Sequence, residues 1–118
     1  METFIGTIMP VAFNFAPEGW ALCNGQLLPI NQNTALFSLL GANYGGDGQT
    51  TFGLPDLRGR VAVGQGAGPG LAPVQMGELS AAGGTVPLDN KASTQPVSPP
   101  TTGVNYIICL QGIYPPRS

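Results

Sequence analysis

Apolar positions along this chain come in short bursts separated by glycine, proline and small polar residues, and one burst alone keeps a helical period. Residues 3–15, "TFIGTIMPVAFNF", mix β-branched and aromatic residues around a single proline. That pattern predicts a strand interrupted near Pro10, at a sheet edge or a bulge. "WALCNGQLLPI", residues 20–30, sets Asn24-Gly25 between two apolar runs, the strongest short-range hairpin signal. In residues 31–41, Leu36, Leu39 and Leu40 share one face, with Ala35 and Phe37 at its margins. The spacing predicts a helix over about 32–41, capped by an Asn31 side-chain oxygen and stopped by a left-handed Gly41. Residues 42–56 read as a long turn-rich loop with a short strand near 50–54. "RVAVGQ" (60–65) reads as another short strand, and "VNYIICLQGIY" (104–114) as a strong final one ended by Pro115 and Pro116. The resulting fold class is α+β: a small, loop-rich, mainly β domain with one short helix.

The 118 residues fit one small domain. Residues 1–84 form its body. Residues 85–103, rich in Pro, Ser and Thr, read as an extended arm. Residues 104–118 supply a strand that completes the domain or pairs with a neighbouring copy. Val86, Pro87, Leu88, Val97, Pro99 and Pro100 are the arm's candidate contacts, because an extended segment can add to an open sheet edge of another copy.

Composition turns attention to the surface. Charged residues make up 8% of the chain and hydrophobic ones 42%, with a net charge of −2. Ordinary globular proteins carry roughly 25% charged residues, and disorder calls for low hydrophobicity with high net charge. The chain therefore reads as folded, with much of its surface covered by copies or partners. Four cations in three places, Arg58, Arg60, Lys91 and Arg117, argue against nucleic acid as a partner. Apolar runs stay well short of a membrane span, and the first fifteen residues lack the pattern of a secretory signal.

The inventory of reactive groups is thin. The chain has no histidine, which removes Ser-His-Asp and Cys-His nucleophiles and imidazole zinc sites. Cys23 and Cys109 each lie in an apolar run. They read either as two buried free thiols or as a disulfide tying the last strand to the first hairpin. The six carboxylates are scattered. "NYGGDGQTT" (43–51) reads as a turn, with a cation loop as the alternative, although it lacks the spaced oxygen ligands of a calcium motif. "GQGAGPG" (64–70) has neither the lysine nor the following helix of a phosphate-binding loop. No cofactor is called for, and the chain does not read as an enzyme.

Charge is concentrated in one place, "LPDLRGR" (54–60). Arginine offers a planar fork matching carboxylates and carbonyls. Asp56, Arg58 and Arg60 therefore read as a structural clamp for the loop before them, with a ligand-binding arginine or a solvated pair as alternatives. Trp20, Tyr44, Tyr106 and Tyr114 offer either core packing or platforms for a sugar.

The runs "GWALCNGQ" (19–26), "NTALFSLLG" (33–41), "YGGDGQTTFGLPDLRGR" (44–60) and "NYIICLQGIYPPR" (105–117) together resemble the phage tail collar domain, in the version found in bacterial microcystin-dependent proteins. The resemblance implies a structural module of tail fibres, typically trimeric and non-enzymatic, in an extracellular, cell-surface or virion-like assembly. Related chains usually continue into a histidine-rich distal region, which is missing here; a metal site of that kind is excluded. Two functions follow: a self-assembling subunit of a fibre, filament or tail-fibre trimer, or an adhesin-like tip recognising a surface glycan or receptor.

Overall fold

The computed structural model describes residues 2–80, 85–87, 94–96 and 100–117. The strands are β1 (Ile8–Val11), β2 (Trp20–Leu22), β3 (Leu27–Pro29), β4 (Thr51–Gly53), β5 (Thr85–Pro87), β6 (Thr94–Pro96) and β7 (Asn105–Cys109). A 3-10 turn, Ile30–Gln32, leads into the helix α1, Thr34–Leu40. The strands form three antiparallel sheets: β1-β7-β2, β3-β4 and β5-β6. This is the small α+β, mainly β domain that the pattern predicts.

The final strand is central. β7 has β1 on one side and β2 on the other, which explains its continuous apolar run "YIIC". Ile107, Ile108 and Cys109 are all buried. Around Ile108 the core gathers Ile5, Cys23, Leu36, Phe52 and Leu54. The rings of Phe37 and Phe52 lie 5.4 Å apart, so the helix and β4 meet through an aromatic pair.

The first strand is shorter than 3–15 and begins after a turn. Thr7 N–H donates to the Phe4 carbonyl at 3.1 Å, with Gly6 at φ 89°. Gly6 N–H donates to the Cys109 carbonyl, while Cys109 N–H donates to the Thr7 carbonyl, both at 2.9 Å. Two residues thus face one, a bulge. From Cys109 the alternation of an antiparallel ladder turns Met9 and Val11 toward β7 and leaves Pro10 facing outward. Proline is tolerated there because no ladder donor is needed.

Asn24-Gly25 joins no hairpin, although Gly25 takes a left-handed φ of 75°. β2 pairs with β7 and β3 with β4. The reason lies in residues 54–57. Leu54 N–H donates to the Gln26 carbonyl at 3.0 Å, Gly25 N–H to the Pro55 carbonyl at 3.2 Å and Leu57 N–H to the Cys23 carbonyl at 3.0 Å. This segment takes the backbone groups that the two halves of a hairpin would have exchanged.

The helix also starts later than expected. Asn31 lies inside the 3-10 turn, and Asn33 holds the cap position without a side-chain cap bond. The Asn33 amide instead donates to the Pro29 carbonyl at 3.1 Å. Pro29 brings the chain in extended, so one tight turn intervenes before the helix. Gly41 ends the helix at φ 59°, as its position predicts. Residues 60–65 form no strand, and Val61 and Val63 are exposed. A short alternating run without a partner edge has nothing to hydrogen-bond to.

Candidate functional site: the charged turn, the Asp47 loop and the exposed apolar faces

The charged turn grows out of the contact between residues 54–57 and Asn24-Gly25. Asn24 and Asp56 form an antiparallel bridge, which fixes the Asp56 backbone. Arg58 then folds back on it. Arg58 Nε donates to Asp56 Oδ1 and Nη2 to Oδ2, each at 2.8 Å, a two-point fork. Arg58 N–H also donates to Oδ1 at 3.2 Å. Arg60 Nη1 donates to the Asp56 carbonyl at 3.1 Å and lies 3.3 Å from Oδ2.

The structure thus brings Asp56, Arg58 and Arg60 together, but every one of these bonds stays within five residues. Among the described residues the arginines reach the 42–56 loop at its last residue, Asp56, through its carboxylate and its carbonyl. The Arg58 side chain is 65% exposed, so solvent screens the pair. The hydrogen bonds from Arg58 hold the Asp56 carboxyl well below the usual carboxylate range. The same contact raises the Arg58 guanidinium further above its ordinary value.

What organises the preceding loop is Asp47. Its Oδ1 accepts from the backbone N–H groups of Gln49, Thr50 and Thr51 at 2.8, 2.8 and 2.9 Å. Its Oδ2 accepts from the Thr50 hydroxyl at 2.7 Å. These donors, Thr51 N–H first, pull the Asp47 carboxyl well below the ordinary range. Gly48 N–H closes the loop on the Thr51 carbonyl at 2.9 Å. Gly46 makes the loop possible: at φ 84°, a Cβ there would collide with Phe52 Cα. The signal for Asp47 was present in "DGQTT", an acid followed by threonines three and four residues on, the spacing of an Asx-type turn. With both oxygens occupied by donors, the turn reading of 43–51 prevails over the cation reading. Among the described residues no group of three or more Cys, Asp or Glu side chains gathers.

The cysteines stand apart. Trp20 lies opposite Cys109 in the register of β2 and β7, and Cys23 N–H donates to the Tyr106 carbonyl at 2.9 Å. Directly paired residues share a face and successive ones alternate. Cys23 therefore projects with Tyr106 and Ile108, on the face opposite Cys109. Both are buried free thiols, and a Cys23–Cys109 disulfide would have to cross the sheet, so that reading is corrected. Burial pushes the Cys23 thiol up to about 11 and also raises that of Cys109.

The described residues of the arm are two short strands. Thr85, Val86 and Pro87 lie opposite Pro96, Gln95 and Thr94, so β5 and β6 pair with each other. Leu88, Val97 and Pro99 lie outside the described residues, and Pro100 is exposed. Of the aromatics, Tyr106 packs against the core, and the Tyr114 hydroxyl is 2.8 Å from the Ser38 hydroxyl.

Sequence reading missed the exposed apolar surface at Phe13 and Phe15. Their rings stack at 4.8 Å while remaining 41% and 58% exposed. The Asn105 amide donates to the Phe13 carbonyl at 2.8 Å, pinning this segment beside exposed Val104. A second group, Val61, Val63, Leu71, Met76 and Leu79, is exposed along the glycine-rich stretch.

Fold and site thus define a loop-rich scaffold whose polar clusters serve its own turns. Residues 6–62 match the family model of the phage tail collar domain. The match begins at the Gly6 turn and ends just past Arg60, taking in the Asp47 loop and the charged turn. Collar domains are structural parts of phage tail fibres. The search of curated proteins finds no match to the chain. No helix among the described residues is long and apolar enough to cross a membrane.

Proposed function

We propose that this chain is a self-assembling structural subunit, a collar-type module of an extracellular fibre, filament or tail-fibre trimer, of the kind carried by bacterial microcystin-dependent proteins. One observation carries this reading. Among the described residues fourteen large apolar side chains are exposed and eight apolar residues are buried. So much exposed large apolar surface beside so small a core favours cover by other copies. The low charge, 8% of residues, points the same way, since little repels a second copy.

The edges favour contact through side chains over strand addition. β1 turns Pro10 outward, and β3, β5 and β6 each contain a proline. The outer side of β4 is closed by bonds with Gly45 and Gly48. The Gln26 amide caps the Leu22 carbonyl of β2 at 2.9 Å. Prolines and covered edges resist pairing with another chain.

Light scattering of the purified chain at micromolar concentration, with negative-stain microscopy, tests the proposal. Trimers or filaments are expected. A clean monomer across that range overturns it, and specific capture on a glycan array by that monomer favours the adhesin-like tip instead.

A further inference from the structure

The chain contains one Asn-Gly pair, Asn24-Gly25, and one Asp-Gly pair, Asp47-Gly48. These are the dipeptides most prone to succinimide chemistry, because glycine leaves its own backbone nitrogen unhindered. In that reaction the glycine nitrogen gives up its proton to solvent and attacks the side-chain Cγ of the preceding residue. A C–N bond forms, and ammonia leaves from asparagine or water from a protonated aspartic acid. Water then opens the ring to aspartate or isoaspartate.

We infer that Asn24 and Asp47 are latent modification sites that the native fold holds shut. Both nucleophiles are engaged: Gly25 N–H donates to the Pro55 carbonyl at 3.2 Å and Gly48 N–H to the Thr51 carbonyl at 2.9 Å. Attack requires each amide plane to swing toward its neighbour's side chain, which breaks that bond. The peptide plane before Asn24 is tied as well. The Asn24 N–H donates to Gln26 Oε1 at 3.1 Å, and its backbone bridges to Asp56.

Asp47 is closed twice over. Its Oδ1 faces forward onto the N–H groups of residues 49–51 and its Oδ2 accepts from the Thr50 hydroxyl. The carboxylate is thus held by donors on both oxygens and kept ionised, whereas ring closure needs the neutral acid. Both glycine N–H groups are held from residues 51–55, Gly48 by Thr51 and Gly25 by Pro55, so one unfolding event releases both.

The test is isotope uptake. The purified chain is incubated in heavy-oxygen water, at mildly alkaline pH for Asn24 and mildly acidic pH for Asp47, each once native and once in concentrated urea. Mass spectrometry of chymotryptic peptides follows the label at Asn24 and Asp47. Native uptake is expected to be slower by about ten-fold or more at both sites, the factor that a broken hydrogen bond with its orphaned partner contributes. Equal rates in the two states at either site overturn the inference for that site. Thr50→Val, which removes one Asp47 donor at an exposed position, should raise native uptake at Asp47 and leave Asn24 at its parent rate. An unchanged Asp47 rate in a folded Thr50→Val chain overturns the role given to its carboxylate contacts.

Discussion

Cys23 and Cys109 belong to adjacent strands, yet their side chains leave the sheet on opposite faces. Cys23 shares a face with its partner Tyr106, and Cys109 shares one with Trp20. The backbone between them, hydrogen-bonded on both sides, stands in the way of an S–S bond. After mild oxidation, the chain denatured without reductant is expected to titrate as two thiols. In the native state both should react slowly near neutral pH, because burial disfavours the thiolate. Recovery of an intramolecular disulfide with native spectra would contradict the register.

The two polar clusters differ in what they hold, and their substitutions should rank accordingly. Asp47→Ala removes the acceptor for three backbone N–H groups. Arg58→Ala removes a solvent-exposed fork within a single turn. Thermal unfolding should show a clear loss of Tm for Asp47→Ala and a much smaller one for Arg58→Ala. The reverse order would restore the arginines as the main organisers of the loop.

Acid should weaken the fold through the same two carboxylates. Both Asp47 and Asp56 are held below the ordinary range in the native state. A depressed native pKa contributes stability that is fully present above the unfolded value of about 3.9. That contribution is lost as pH falls from there through the lower native value. The Tm should therefore hold level down to about pH 5 and decline below about pH 4. The Asp47→Asn, Asp56→Asn double variant should decline less steeply; an unchanged acid slope would place the titrating groups elsewhere.

Core and cap positions should part company. Leu36 is 1% exposed and packs in the main cluster, so Leu36→Ala should cost about 2–5 kcal/mol in urea unfolding. Asn31 caps nothing, and Asn31→Ala should stay within about 0.5 kcal/mol of the parent. A loss of about 1 kcal/mol or more at Asn31 would show that a cap bond forms there after all.

Phe13 and Phe15 provide the direct handle on assembly. Because both rings are largely exposed, a Phe13→Ser, Phe15→Ser chain should keep its circular dichroism spectrum. In light scattering its mass should shift toward the monomer. An unchanged assembly mass would move the contact surface away from this ridge.

Much of this fold can be read from local signals. Gly41 stopping the helix, the Leu36–Leu39–Leu40 face and the apolar run of β7 each depend on a few consecutive residues. The misreadings are all failures of partner assignment. Gly25 has the positive φ of a turn glycine, but no hairpin forms, because residues 54–57 claim its flanks. Asn31 has the right chemistry for a cap, but the extended entry at Pro29 inserts a 3-10 turn. Cys109 lies in β7 and Cys23 directly follows β2, and pairing parity alone decides their faces. Charge drew attention to Arg58 and Arg60, although in this loop one carboxylate, Asp47, satisfies more backbone than either. The stacked pair Phe13–Phe15 resembles core in sequence, and only the position of β1 at a sheet edge leaves it outside.

The chain's two ends run side by side. Ile5 N–H donates to the Ile113 carbonyl, and Ile113 N–H donates to the Thr3 carbonyl, both at 2.9 Å, in a parallel bridge. In a parallel arrangement the chain enters from one direction and leaves in the other. A pull on Thr3 and Ile113 therefore drags the segments past each other along their length. The bonds around Gly6, Thr7 and Cys109 lie in the same line and share that load. A module tied this way meets tension as shear, with several hydrogen bonds strained together before any one parts.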